Sequence, residues 1–97
     1  YAAVPRTAVG VTRQNKLLMV VVTRPVRLRT LAKVMEQLGA TDAIALDGGS
    51  SVSFYYRRRL SVVPKRKLTN LLVVYERSAE YEQVLSRLKP LQRYARR

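Results

Sequence analysis

The segment from Leu17 to Leu46 constrains the fold most. LLMVVVT (17–23) is a near-continuous apolar run rich in β-branched residues, the pattern of a strand covered on both faces. Pro25 breaks it, and RPVRLR (24–29) serves as a connection. Thr30 then stands where a helix N-cap belongs. Leu31, Val34, Met35 and Leu38 recur at i, i+3, i+4 and i+7 on one helical face, and Gly39 supplies the stop. AIAL (43–46) reads as a short buried strand. Strand, helix and strand in this order form a βαβ unit, which predicts a parallel pair joined by a right-handed crossover.

The flanking segments extend the sheet. TAVGVT (7–12) alternates weakly, and the polar RQNK (13–16) joins it to LLMVVVT as a hairpin. SVSFYY (51–56) and LSVV (60–63) flank RRR (57–59), a second hairpin whose turn lacks the favoured glycine. PKRK (64–67) is a basic loop, and TNLLVVYE (69–76) reads as a further apolar strand. From Ala79 onward the pattern is helical. Tyr81, Val84, Leu85, Leu88, Leu91 and Ala95 share a face, while Arg87, Lys89 and Arg93 lie elsewhere and Pro90 is expected to kink or split the helix. The predicted fold is α/β (α+β): a mixed sheet of about six strands, one βαβ crossover helix and a C-terminal amphipathic helix. The expected division is a domain over 1–77 and a basic helical extension over 78–97.

Composition narrows the chemistry. The 97 residues suffice for one domain with a modest core. Without cysteine there is no disulfide or thiolate chemistry, and without histidine the usual general base and commonest metal ligand are missing. No metal-ligand pattern is present, and the residues assign no cofactor. The longest apolar run, LLMVVV, is strand length, far short of the roughly 18 residues of a membrane-spanning helix. The opening residue is Tyr1 rather than Met, with no signal-like segment, which suggests a piece of something longer. The formal charge of +13 is uneven. Residues 1–56 carry seven basic and three acidic side chains, and residues 57–97 carry twelve and three. Such a field attracts polyanions, weakly and without sequence preference; an Arg-rich solvated surface is the simpler reading of the same residues.

The stretch ALDGGSS (45–51) is the chemically suggestive one. Asp47 lies just past the carboxyl end of a predicted strand, where ligands of open α/β sheets bind. Gly48 and Gly49 remove the Cβ atoms that keep a ligand from the backbone and permit positive φ. Successive N–H groups with the Ser50 and Ser51 hydroxyls form an anion-binding arrangement, beside which Asp47 is a candidate acid, base or nucleophile. Equally, Asp-Gly-Gly makes a tight turn, with Asp47 accepting bonds from its own backbone.

RTAVGVTRQNKLLMVVV, TLAKVMEQLGATDAIALDGGSS and RKLTNLLVVYER, in that order, resemble the C-terminal half of the phosphodiester glycosidase family. The resemblance spans roughly residues 5–77. It implies hydrolysis of a glycosyl-1-phosphodiester, as by the lysosomal uncovering enzyme, and a family often secreted or periplasmic. It implies that Arg6, with Thr7 beside it, clamps the phosphate, which suits a planar guanidinium. It also implies that Asp47, Gly48, Gly49, Ser50 and Ser51 hold the sugar or share in the chemistry, and that Asn70 belongs to the site. This chain departs from the family pattern in having two glycines before the serines rather than three, and VVPKRK before the last strand. Glycosidic cleavage ordinarily takes two carboxyl groups about 5 to 10 Å apart, and Asp47 alone is well placed. The expectation is half of a site, completed by an N-terminal segment or a second chain. The competing reading is a non-catalytic basic α/β module for nucleic acid or another polyanion. RRR with Tyr55 and Tyr56 would serve it by charge and stacking, although alternation points the two tyrosines to opposite faces. The basic C-terminal helix also suits docking on the domain or, less simply, lying on a membrane surface.

Overall fold

The computed structural model describes residues 2–68 and 71–87. Two strands open the chain, β1 (Val4–Thr12) and β2 (Leu17–Val26), followed by helix α1 (Leu28–Gln37) and strand β3 (Ala40–Gly48). A single 3-10 turn (Gly49–Ser51) leads into β4 (Phe54–Tyr56) and β5 (Arg59–Val62), and helix α2 spans Ser78–Arg87. The fold is α+β, with five strands among the described residues in two antiparallel sheets, ordered β2-β1-β3 and β4-β5. The expected sixth strand over 69–76 does not form over its described part, residues 71–76. Thr69 and Asn70 lie outside the described residues, as does the predicted helical stretch from Leu88, with Pro90.

β1 is the centre of the larger sheet and pairs antiparallel with both neighbours. β2 and β3 therefore run in the same direction with β1 between them, as nearby strands rather than hydrogen-bonded neighbours. The preceding hairpin explains this: once β1 has paired with β2 through a short loop, its other edge is the nearest free ladder for β3. That loop is closed by Thr12 N–H donating to Lys16 O at 2.9 Å and Asn15 N–H to Thr12 O at 3.0 Å. Asn15 takes the left-handed conformation (φ 59°), which its short polar side chain tolerates.

α1 starts earlier than Thr30. Its N-cap is Arg27, without a side-chain cap, because Leu28 already packs against the core. Thr30 sits inside the first turn. The end is as the sequence reads: Gly39 N–H donates to Glu36 O, and Gly39 adopts φ 95° just past the last turn. Leu31 and Met35, each 2% exposed, meet Ala8, with Leu18, Val20, Val22, Leu28 and Ala40 around them. The alternate residues Leu17 and Met19 face outward, so β2 is covered on one face rather than two. β2 also runs through Pro25 to Val26, with the register irregular between Val4 and Arg6. As an edge strand it loses little from the missing N–H. β3 departs most from expectation: residues 41–48 are exposed throughout, with Ile44 at 66%.

Candidate functional site

β1 and β3 set the candidate residues Arg6 and Asp47 on adjacent strands. Arg6 on β1 stands opposite Gly48 on β3, whereas Ala8 stands opposite Ala45. One extra residue is thereby accommodated on β3, a bulge covering Leu46 and Asp47. Bulges re-aim side chains, and this one coincides with the candidate carboxylate. Thr7, between the two paired positions, donates its Oγ1 hydrogen to Asp47 O at 2.6 Å and pins the bulge to the central strand.

The two glycines do different things. Gly48 is extended, and a Cβ built there would lie 3.1 Å from Pro5 O, so its bareness admits the neighbouring strand's backbone rather than a ligand. Gly49, at φ +65° with open space where a Cβ would be, is the residue that turns the chain into the 3-10 segment. From there Ser50 O accepts Lys65 N–H at 2.9 Å, which ties the basic PKRK loop to the turn. Val52, 5% exposed, anchors the exit.

Arg6 is half-buried. Its Nε donates to Val26 O at 2.8 Å and its Nη2 to Ala2 O at 2.7 Å. Both acceptors are neutral carbonyls, so the guanidinium is positioned without being neutralised. Two of its five N–H donors are engaged, which leaves three for a ligand. The Asp47 carboxylate is exposed and has no hydrogen-bond or ion-pair partner among the described residues. It therefore does not brace its own turn, as an Asp-Gly-Gly tight turn would have required.

Other carboxylates stand elsewhere. Asp42 is five residues back along β3, about 17 Å at a strand's rise per residue, and accepts from Thr41 Oγ1. Glu36 lies on α1 and Glu82 on α2, and Glu80 is paired with Arg77 at 2.7 Å. No group of three acidic side chains close enough to hold a metal ion occurs among the described residues. Asn70 lies outside the described residues.

Three basic neighbours escape a motif-based reading. Arg27 and Arg29, with Leu28 and Thr30, line a hollow of about 300 Å³ that begins one residue beyond the carbonyl holding Arg6. The available signal was the pair of arginines at the start of a helix whose first turn has no acid. Lys65 reaches the turn through a backbone bond, which no side-chain pattern encodes.

No curated protein and no solved structure matches the chain. The family model for phosphodiester glycosidase matches residues 2–75, a span that contains the Arg6–Gly48 register, the bulge at Asp47 and the turn after it. With about three quarters of its length so matched, the chain belongs to the phosphodiester glycosidase family.

Proposed function

We propose that the chain supplies the phosphate-binding half of a site that cleaves a sugar from a glycosyl-1-phosphodiester. Arg6 receives a non-bridging phosphate oxygen with the N–H donors its backbone partners leave over. Asp47 faces the sugar, as nucleophile, base or electrostatic partner of the cationic transition state. The N–H groups after Gly48 and the hydroxyls of Ser50 and Ser51 bind sugar or phosphate oxygens, and Asn70 contributes from the following segment. The observation that supports this reading is the register of Arg6 against Gly48, which brings the Arg6 backbone beside the bulge that carries the unpartnered Asp47.

Since Asp47 lacks a second carboxyl group within about 10 Å along its own strand, the second acid or base comes from an N-terminal segment or a second chain. The catalytic domain in this reading spans 1–77, and 78–97 extends it as a basic helix. The isolated 97-residue chain is then a binder without turnover. Titration with methyl N-acetylglucosaminyl-1-phosphate, followed by NMR, tests this. Binding is expected, with a loss of tenfold or more in Arg6→Ala, since hydrogen bonds to a charged group contribute about 1.5 to 3 kcal/mol. Unchanged binding by Arg6→Ala, or turnover by the isolated chain, would overthrow it.

A further inference from the structure

Resting on that reading, we infer that the substrate phosphodiester is one unit of a longer phosphate-bearing chain, gripped by the basic hairpin beside the turn. A single glycosyl phosphodiester carries one negative charge, which Arg6 alone answers. Yet residues 48–75 contain six basic side chains, Arg57, Arg58, Arg59, Lys65, Arg66 and Lys67, and no acidic one. None of the six is in an ion pair among the described residues.

Their placement follows from the topology. β4 begins three residues after the 3-10 turn, and the chain returns from β5 to that same turn through the Lys65 N–H bond to Ser50 O. Lys65, Arg66 and Lys67 thus lie at the base of the hairpin, against the segment following Asp47. Arg57 and Arg58 lie at its tip, about 13 Å further on for four residues of strand. Base and tip are two clusters of positive charge on one hairpin tied to the turn after Asp47, with the reach of successive phosphates rather than of one.

The tip itself is held at a conformational cost. With Tyr56 opposite Arg59, the loop is the two residues Arg57 and Arg58, at φ 51° and 66°. This is the turn that Asn-Gly or Gly-Gly adopts without strain. Non-glycine residues kept in such a conformation cluster where function uses them. Arg57 is further fixed by its Nε donating to Tyr56 Oη at 3.1 Å and by stacking 5.3 Å above that ring, while Tyr56 packs on Phe54. The guanidinium is oriented, and no carboxylate is there to receive it.

The test compares two probes by calorimetry at low salt: glycerophosphoglycerol, with one phosphodiester, and a poly(glycerol phosphate) of ten units. The decamer is expected to bind about a hundredfold tighter per chain, beyond the roughly tenfold that ten equivalent units give a single-phosphate site by multiplicity. Its logarithmic affinity should fall with log salt by roughly 0.7 per phosphate contacted, on the single-strand scale. Replacing the six cations with Arg57→Asn, Arg58→Gly, Arg59→Thr, Lys65→Ser, Arg66→Ser and Lys67→Ser should bring the two affinities together, the decamer's falling far more than the monomer's. Asn-Gly suits the turn, so loss of the hairpin would not explain that result. Arg6→Ala should weaken both probes and preserve their ratio. Equal affinities in the unmodified chain, or a ratio indifferent to the six substitutions, would overturn the inference, while monomer binding lost in Arg6→Ala would keep the site reading intact. Decamer binding with no dependence on Arg6 would remove the site reading, and the substrate inference with it. Single-stranded dT10 bound tenfold tighter than the decamer would overturn it in favour of nucleic acid.

Discussion

Gly48 illustrates how far a residue's meaning depends on its neighbour across the sheet. In sequence, Gly48 and Gly49 form a unit that reads as room for a ligand. In the fold, Gly48 admits Pro5 O from β1, and only Gly49 uses a positive φ. Gly48→Ala places a methyl 3.1 Å from a backbone oxygen, so β1 and β3 must give by a few tenths of an ångström at the bulge. The expected cost is about 1 to 3 kcal/mol, read from urea unfolding. Phosphodiester binding is expected to weaken with it, because the bulge moves. Gly49→Ala has open space around it and bears only the cost of a left-handed alanine, about 1 to 2 kcal/mol. Full stability in Gly48→Ala would show that the strands are not held at this separation. Asp47 stood out in the sequence because acids are scarce here, and Arg6 through the family resemblance; the tie of Lys65 to the turn was not legible, since its backbone N–H makes it.

At the scale of elements, what local periodicity encodes was readable and what pairing decides was not. Of the α1 face expected from Leu31, Val34, Met35 and Leu38, a property of one segment, the first three turn inward, whereas Leu38, at the C-cap, is 51% exposed. The fate of AIAL is not local. Its composition suits a covered strand, but β3 occupies the outer edge of the β2-β1-β3 sheet, and α1 spends its apolar face on Ala8 and the β2 side. The same holds for residues 71–74, whose Leu-Leu-Val-Val pattern reads as a strand but lies outside both sheets, with Leu71 at 69% exposure. An exposed apolar edge with unpaired N–H and C=O groups recruits further strands. The isolated chain should therefore self-associate at concentrations near 0.1 mM, a rough guide for exposed edges. Ile44→Lys, which puts a charge on that edge without touching the core, should shift the sedimentation profile toward monomer. A monomeric profile for the unmodified chain, or association indifferent to Ile44→Lys, would mean that the edge is already blunted.

For the whole molecule, charge sets the balance more than packing does. The buried apolar side chains among the described residues are Ala8, Leu31, Met35 and Val52, a small core for a chain of formal charge +13. The ion pair among the described residues, Arg77 with Glu80, is solvent-exposed, and pairs of that kind contribute about 0 to 1 kcal/mol. Repulsion among cations therefore has little to offset it, and it acts over the Debye length. That length falls from about 30 Å at 0.01 M salt to about 8 Å at 0.15 M. The larger figure spans most of the molecule, whose extents are 39 × 35 × 27 Å; the smaller one reaches only neighbouring side chains. Raising salt should accordingly raise the Tm, with most of the gain below 0.15 M. Phosphate or short polyphosphate should exceed chloride at equal ionic strength, since a multivalent anion bridges Arg57–Arg59 and Lys65–Lys67 as well as screening them. The melting temperature, followed by circular dichroism across a salt series, decides the matter. A Tm that falls with added salt would mean that attraction between opposite charges dominates. A gain from phosphate no larger than from chloride would mean that the cations are too dispersed to act as a group.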